Sequence, residues 1–182
     1  MIKLKDLLSE VFEPMMLEQT PKYKFYLDLD GVVVDLVKAV KQLTGGLDFQ
    51  EYEAVHGLHS IWKVLGAQDS MWWATLPWTG DGRELWNFLK DKEVVILTSG
   101  STKHNGQTPK KGKHEWCFKN LGSNVKVIVV DSSHDKQRYA EPNAILIDDL
   151  NSNIDEWKSK GGIGILHKNT ADTINQIKQL TA

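Results

Sequence analysis

The chain has 182 residues, enough for one ordinary domain with a sizeable core and room for a small insertion. Apolar residues make up 41% and charged residues 25%, with no low-complexity tract or internal repeat, which excludes a disordered or fibrous chain. The net charge of −2 argues against a broad nucleic-acid surface, and a single cysteine, Cys117, rules out an intrachain disulfide. The apolar runs are strand-sized, too short for a membrane span, so the expectation is a cytoplasmic protein without membrane contact, a monomer or a homodimer.

In chain order, residues 1–20 carry Leu4, Leu7, Leu8, Val11 and Phe12 at helical spacing, stopped by Pro14. This amphipathic segment precedes the first strand, Tyr23 to Leu27, which leads directly into Asp28-Leu29-Asp30-Gly31. Leu36, Val37, Val40 and Leu43 predict a helix closed by Gly45-Gly46, with Asp35 as a capping or bracing residue. Asp48 and Glu51 predict a capping box for a second helix, and Ile61 to Leu65 suggest a third. An aromatic stretch, Met71-Trp72-Trp73 to Leu76-Pro77-Trp78, comes next, and Asp81 with Glu84 predicts the start of another helix. Further strands are predicted at 93–98, 125–130, 144–147 and 163–166, with helices at about 112–121, 154–160 and at the C-terminal end.

Near-continuous apolar strands alternating with helices predict an α/β fold, a three-layer Rossmann-like parallel sheet covered on both faces. Ligands of such sheets sit beyond the carboxyl ends of the strands, where this sequence places Asp28 and Asp30, Thr98, and Asp148 and Asp149. Carboxylates so close repel, and burying them unpaired costs several kcal/mol each, so a hard cation such as Mg²⁺ is the expected compensation. Gly31 permits a sharp turn, after which backbone N–H groups are expected to face an anion. The stretch from 36 to 80 is longer than a crossover needs and reads as a helical cap inserted into a core of 21–35 and 81–182.

Asp28-Leu29-Asp30-Gly31-Val32, then Leu97-Thr98-Ser99, a lysine, and Ile147-Asp148-Asp149 resemble the four motifs of the haloacid dehalogenase (HAD) phosphohydrolase superfamily over residues 23–167. Lys113-His114-Glu115-Trp116 with Lys119-Asn120-Leu121-Gly122, Asp135-Lys136, and Trp72-Trp73 before Leu76-Pro77 are similar to its 5′(3′)-deoxyribonucleotidase branch. The resemblance implies a Mg²⁺-dependent phosphatase that forms an aspartyl-phosphate and acts on nucleoside monophosphates. It implies Asp28 as nucleophile and Asp30 as general acid and base, roles that suit an ionised carboxylate and a neighbour whose pKa it raises. Mg²⁺ would bridge Asp28, the backbone carbonyl of Asp30 and one of Asp148 and Asp149; Asp149 is the favoured ligand, with Asp148 orienting water or Lys113.

On the same resemblance, Thr98 and Ser99 would donate to phosphoryl oxygens. Lys113, preferred over Lys110 and Lys111, would pair with the phosphate and hold the acidic cluster together. Lys136 would either reach the phosphate or lie exposed at the surface. Trp72 and Trp73, with Trp62, Phe49 and Tyr52, would supply one or two rings for base stacking, the others forming the core of the cap. The histidines, including His56 and His59, lack metal-ligand spacing. Three alternatives stay open: a HAD phosphatase of another small phosphomonoester, one acting on polynucleotide ends, and a non-catalytic receiver-like module.

Overall fold

The computed structural model describes residues 23–100 and 107–181. The predicted N-terminal helix within 1–20 lies outside them. Five strands, β1 (Lys24–Leu27), β2 (Val94–Ser99), β3 (Lys126–Val130), β4 (Ala144–Asp148) and β5 (Ile163–Leu166), form one sheet in the order β3-β2-β1-β4-β5. All four pairings are parallel. The predicted three-layer α/β architecture is therefore observed.

Alternation along each strand decides which face receives each side chain. Phe25, Leu27, Ile96, Ile145 and Ile147 enter one core with Leu85, Leu89 and Trp116 from the helices. Tyr26, Val95, Leu97, Leu146 and Val130 enter the opposite core with Ile154 and Trp157, where the Tyr26 and Trp157 rings meet edge-on at 5.1 Å. Both faces are dry, which is why the strands read as unbroken apolar runs.

Four short helices follow β1: α1 (Leu36–Thr44), α2 (Phe49–His56), α3 (Ser60–Gly66) and α4 (Ser70–Ala74). Asp35 caps α1 by accepting from Lys38 N at 2.9 Å, and Asp48 with Glu51 forms the expected capping box. The helix α4, unforeseen in the aromatic stretch, is capped by Asp69. After α5 (Gly82–Leu89) and β2 comes α6 (Thr108–Leu121), which packs closely on α4. The contact depends on Gly112, where a Cβ would overlap Trp73 Cβ and the carbonyl of Ser70. A mid-helix glycine costs roughly 0.5–1 kcal/mol, and here it lets two helix backbones touch beside Lys113. Trp116 Nε1 donates to the Leu76 carbonyl at 2.8 Å and fastens α6 to the segment that follows α4.

A 3₁₀ helix, Ser133–Tyr139, links β3 to β4, and α7 (Asn151–Ser159) and α8 (Thr170–Leu180) complete the chain. The expected cap at Asp81 needs correction. Its side chain makes no bond to α5; instead it accepts from Thr170 N at 2.8 Å, joining the start of α8 to the start of α5. Among the described residues, no helix is long and apolar enough to cross a membrane.

Candidate active site

The central strand determines where the chemistry gathers. β1 lies between β2 and β4, with Leu27 level with Ile96 on one side and Ile147 on the other. The next residue, Asp28, therefore emerges between the tips bearing Thr98 and Asp148, and its N–H is held by the Ile147 carbonyl at 3.0 Å. Asp28 is 5% exposed, while Thr98 and Asp148 are fully buried. Carboxylate oxygens of Asp28, Asp148 and Asp149 lie within 4.8 Å of one another.

Two buried lysines divide the cluster. Lys136 is 2% exposed and bridges two strand tips, 2.9 Å from Asp28 Oδ2 and 2.7 Å from Asp148 Oδ2. The surface alternative for Lys136 is thus overturned. Burial pulls its ammonium pKa down, but Asp28 and Asp148 outweigh burial and hold it above the ordinary value. Lys113, 3% exposed on α6, donates to Asp30 Oδ2 at 2.5 Å, Thr98 Oγ1 at 3.1 Å and the Ser99 carbonyl at 2.6 Å. Its ammonium also lies 5.7 Å from the Trp73 ring centre. The expectation that Lys113 holds the whole acidic cluster is corrected: it holds Asp30, while Lys136 joins Asp28 to Asp148.

Asp148 and Asp149 are adjacent in sequence but unlike in surroundings. Asp148 Oδ1 accepts from Leu150 N and Asn153 Nδ2, and its Oδ2 accepts from Asn153 Nδ2 and Lys136. So engaged, Asp148 orients Lys136 rather than Lys113. Burial first, and then Asp28, push its pKa above the usual carboxylate range. Burial, Asp28 and Asp148 push Asp149 up to about 7. Asp30 is also raised, by burial and Asp28 against the opposing pull of Lys113.

The donor set fits a hard divalent cation. Among the described residues, Asp28 Oδ1 and Asp30 Oδ1 are buried oxygens without a hydrogen-bond partner, a costly condition that a cation relieves. Gly31, at φ +77°, is needed here, because a Cβ would overlap the Asp149 carboxylate. The anion-facing amides expected after Gly31 are not found. The N–H groups of Val32, Val33 and Val34 all turn back to the Leu29 carbonyl, and Gly31 N–H donates to the Val34 carbonyl.

Beside Asp30 opens a cleft of about 320 Å³ between the helices after β1 and the strand tips. Trp62, Leu65 and Trp73 line one side, and Ser99, Ser132 and Ser133 are among the polar residues of its lining. Trp62 is 38% exposed and Trp73 is buried. Trp72 stands edge-on to Trp73 at 5.0 Å and does not line the cleft; neither do Phe49 and Tyr52, whose rings stack on Trp62 and His56 respectively. Among the described residues the acidic triad is the cluster with metal-ligand geometry, and no histidine joins it.

Sequence reasoning missed Asn153 and undervalued Lys136. Asn153 shares the buried side of α7 with Ile154 and Trp157, and a polar residue on an otherwise apolar helix face was the available signal. For Lys136 the signal was the resemblance carried by Asp135-Lys136 alone, since the residue lies in a polar 3₁₀ turn without periodicity.

No protein-family model matches the sequence, and no curated protein matches it. Solved structures do share the fold. A hydrolase from Streptococcus pneumoniae TIGR4 aligns over 86% of this chain and 99% of its own, with 10% identity and a TM-score of 0.54. A HAD-superfamily hydrolase of subfamily IA, variant 1, from Geobacter sulfurreducens PCA aligns over 87% and 98%, at 11% identity and a TM-score of 0.53. A HAD-family enzyme from Bacteroides thetaiotaomicron aligns over 85% and 98%, at 14% identity and a TM-score of 0.50. A dehalogenase with an intermediate complex also matches, at 9% identity over 80% of this chain and 84% of its own, with a TM-score of 0.53.

Proposed function

We propose that the protein is a hydrolase of the HAD type, a Mg²⁺-dependent phosphatase of nucleoside monophosphates that forms an aspartyl-phosphate on Asp28. The observation that carries the reading is Asp28 itself: Lys136 occupies Oδ2, and Oδ1 is buried with no hydrogen-bond partner among the described residues. That oxygen is a carboxylate nucleophile, which needs no base to attack. It attacks phosphorus, the ester bond to the leaving oxygen breaks, and Asp30 supplies the proton that oxygen takes up. A water then attacks the phosphorus of the acyl phosphate, Asp30 receives its proton, and phosphate leaves with Asp28 restored. The raised pKa of Asp30 suits it to carry that proton.

Asp28, Asp149 and the backbone carbonyl of Asp30 would hold Mg²⁺, with Asp148 fixing Lys136. When bound, the ion supplies positive charge against that developing on the transferring phosphoryl group. Thr98 Oγ1 accepts from Lys113, which leaves its own hydrogen for a phosphoryl oxygen. Residues 36–80 serve as the helical cap, and Trp62 and Trp73, two of the five rings expected to include the stacking partners, supply the apolar wall for the nucleoside.

The test is phosphate release from a panel of nucleoside and sugar monophosphates, with and without Mg²⁺, by the wild type beside Asp28→Asn. Metal-dependent turnover of nucleotides, absent in the variant, is expected; the asparagine keeps the shape and loses the nucleophile. Turnover of sugar phosphates alone would remove the nucleotide assignment. The dehalogenase that shares the fold makes halide displacement the second reading, since a carboxylate oxygen such as that of Asp28 can also displace halide from carbon. Release of halide from 2-haloacids without Mg²⁺ would favour it.

A further inference from the structure

Lys113 poses a problem of hydrogen-bond supply. An ammonium has three hydrogens, and all three are committed, to Asp30 Oδ2, Thr98 Oγ1 and the Ser99 carbonyl. Lys136 differs: among the described residues it has two carboxylate partners, which leaves one hydrogen to spare. Both ammonium groups are almost wholly buried, so no water shell is at hand to take over a broken bond. An anion arriving above Thr98 can therefore gain Lys113 only by displacing one of its present partners. The Ser99 carbonyl belongs to β2 and is fixed by the sheet. Thr98 stands at the same strand end, fully buried. Asp30 is the partner that can leave: its side chain is 25% exposed, borders the cleft, and exchanges one negative group for another.

We infer that Lys113 is a positioning residue that works by exchange: it clamps the Asp30 carboxylate while the site is empty of anion and passes to the phosphoryl group on binding, freeing Asp30 to take up a proton from water of the cleft and carry it to the leaving oxygen. The inference rests on the phosphatase reading above and adds an order of events to it. It also assigns the two buried lysines separate tasks, Lys136 holding the nucleophile fixed and Lys113 coupling arrival of the phosphoryl group to readiness of the acid. Trp73 caps the ammonium on the side of α4, so the exchange stays within the cleft rather than opening to solvent.

The test needs no turnover. Affinity for inorganic phosphate is measured by calorimetry on the full-length protein with Mg²⁺, for wild type, Asp30→Asn, Lys113→Met and the double variant. Asp30→Asn replaces the charged competitor for Lys113 by a weaker neutral acceptor, so phosphate should bind about tenfold more tightly, the factor commanded by one charge-assisted hydrogen bond. In the Lys113→Met background the same substitution should change affinity far less, because only general charge relief remains. An equal gain in both backgrounds would show that Lys113 never changes partner and would overturn the exchange while leaving the phosphatase reading intact. Absence of phosphate binding by the wild type, together with no turnover on any monophosphate, would remove the phosphatase reading and the exchange with it. Should Lys113→Met fail to fold, a crystal structure of the wild type with phosphate decides. Lys113 Nζ bonded to an anion oxygen and beyond hydrogen-bond reach of Asp30 supports the exchange, and an intact Lys113–Asp30 pair beside bound phosphate refutes it.

Discussion

Replacing Lys136 by methionine tests whether the strand tips are held together by charge. The side chain is 2% exposed and reaches Asp28 at 2.9 Å and Asp148 at 2.7 Å, so the substitution keeps the volume and deletes the only ammonium described between those two carboxylates. Breaking a buried ion pair by removing one partner costs about 3–5 kcal/mol. For a domain of this size each kcal/mol moves Tm by about 2–4 °C, so a fall of roughly 6–20 °C is expected at pH 8 with a chelator present. The pH dependence is more diagnostic. Asp148 already sits above the usual carboxylate range because of burial and Asp28, and Lys136 is what restrains it. Without Lys136 its folded pKa climbs further. A carboxyl whose folded pKa exceeds its unfolded one costs stability as the pH rises through that interval. The lysine itself is raised, so its own contribution is complete below the unfolded ammonium pKa and constant between pH 5 and 8. The variant should thus recover toward the wild type at pH 5. Thermal unfolding followed by circular dichroism at both pH values provides the measurement. A loss under about 1 kcal/mol at pH 8, or the same loss at pH 5, would refute the reasoning. Lys110→Met serves as control, since its partner Asp131 is 60% exposed and surface pairs contribute at most about 1 kcal/mol.

Three further outcomes are expected. Mg²⁺ at about a hundred times its pH 8 Kd should stabilise the protein by about 2.7 kcal/mol at pH 8 and by less at the same concentration at pH 6, because Asp149, pushed up to about 7, must lose its proton to bind; an unchanged effect in Asp149→Asn would count against that ligand. Gly31→Ala should lose about 1–2 kcal/mol to its left-handed backbone and, by displacing Asp149, most of the Mg²⁺ stabilisation; an alanine variant that responds normally to Mg²⁺ in thermal unfolding would contradict the close approach. Asp81→Ala should cost about 1–2 kcal/mol in urea unfolding at pH 7, the usual value of a lost cap bond. The bond from Thr170 N holds Asp81 below the ordinary carboxylate range, so its contribution is present above that range and disappears only as the pH falls through the lowered value. A gap that persists in strong acid would point to another cause.

Local patterns were legible in the sequence where a short window contained both halves of an interaction. The strands announced themselves because both faces of the sheet are dry, and the capping box of Asp48 and Glu51 closes within three residues. Asp28, Thr98 and Asp148 could be placed at strand tips from the runs that precede them, and the register gathers them at one edge. Asp81 misled because its partner, Thr170, stands 89 residues away. Lys136 misled for the same reason: nothing within Ser133–Tyr139 announces burial, which is imposed by Asp28 and Asp148 on other strands. Lys113 was chosen for its place on a helix, and the sequence could not say that Gly112 beside it lets α4 close over that lysine.

The charges explain why the fold tolerates so expensive a cluster. Asp28, Asp30, Asp148 and Asp149 converge with only Lys113 and Lys136 as cationic partners described at the site, which leaves two negative charges unmatched when all four are ionised. The protein relieves part of that excess by raising Asp149 to about 7, where a proton stands in for positive charge. A divalent ion matches the remainder without a change of fold. The lysines cannot do this work, because each is buried against the carboxylates it already holds. The cations thus divide the work: Lys136 fixes the strand tips of Asp28 and Asp148, and the charge that the two ammonium groups leave over sets the demand for the metal.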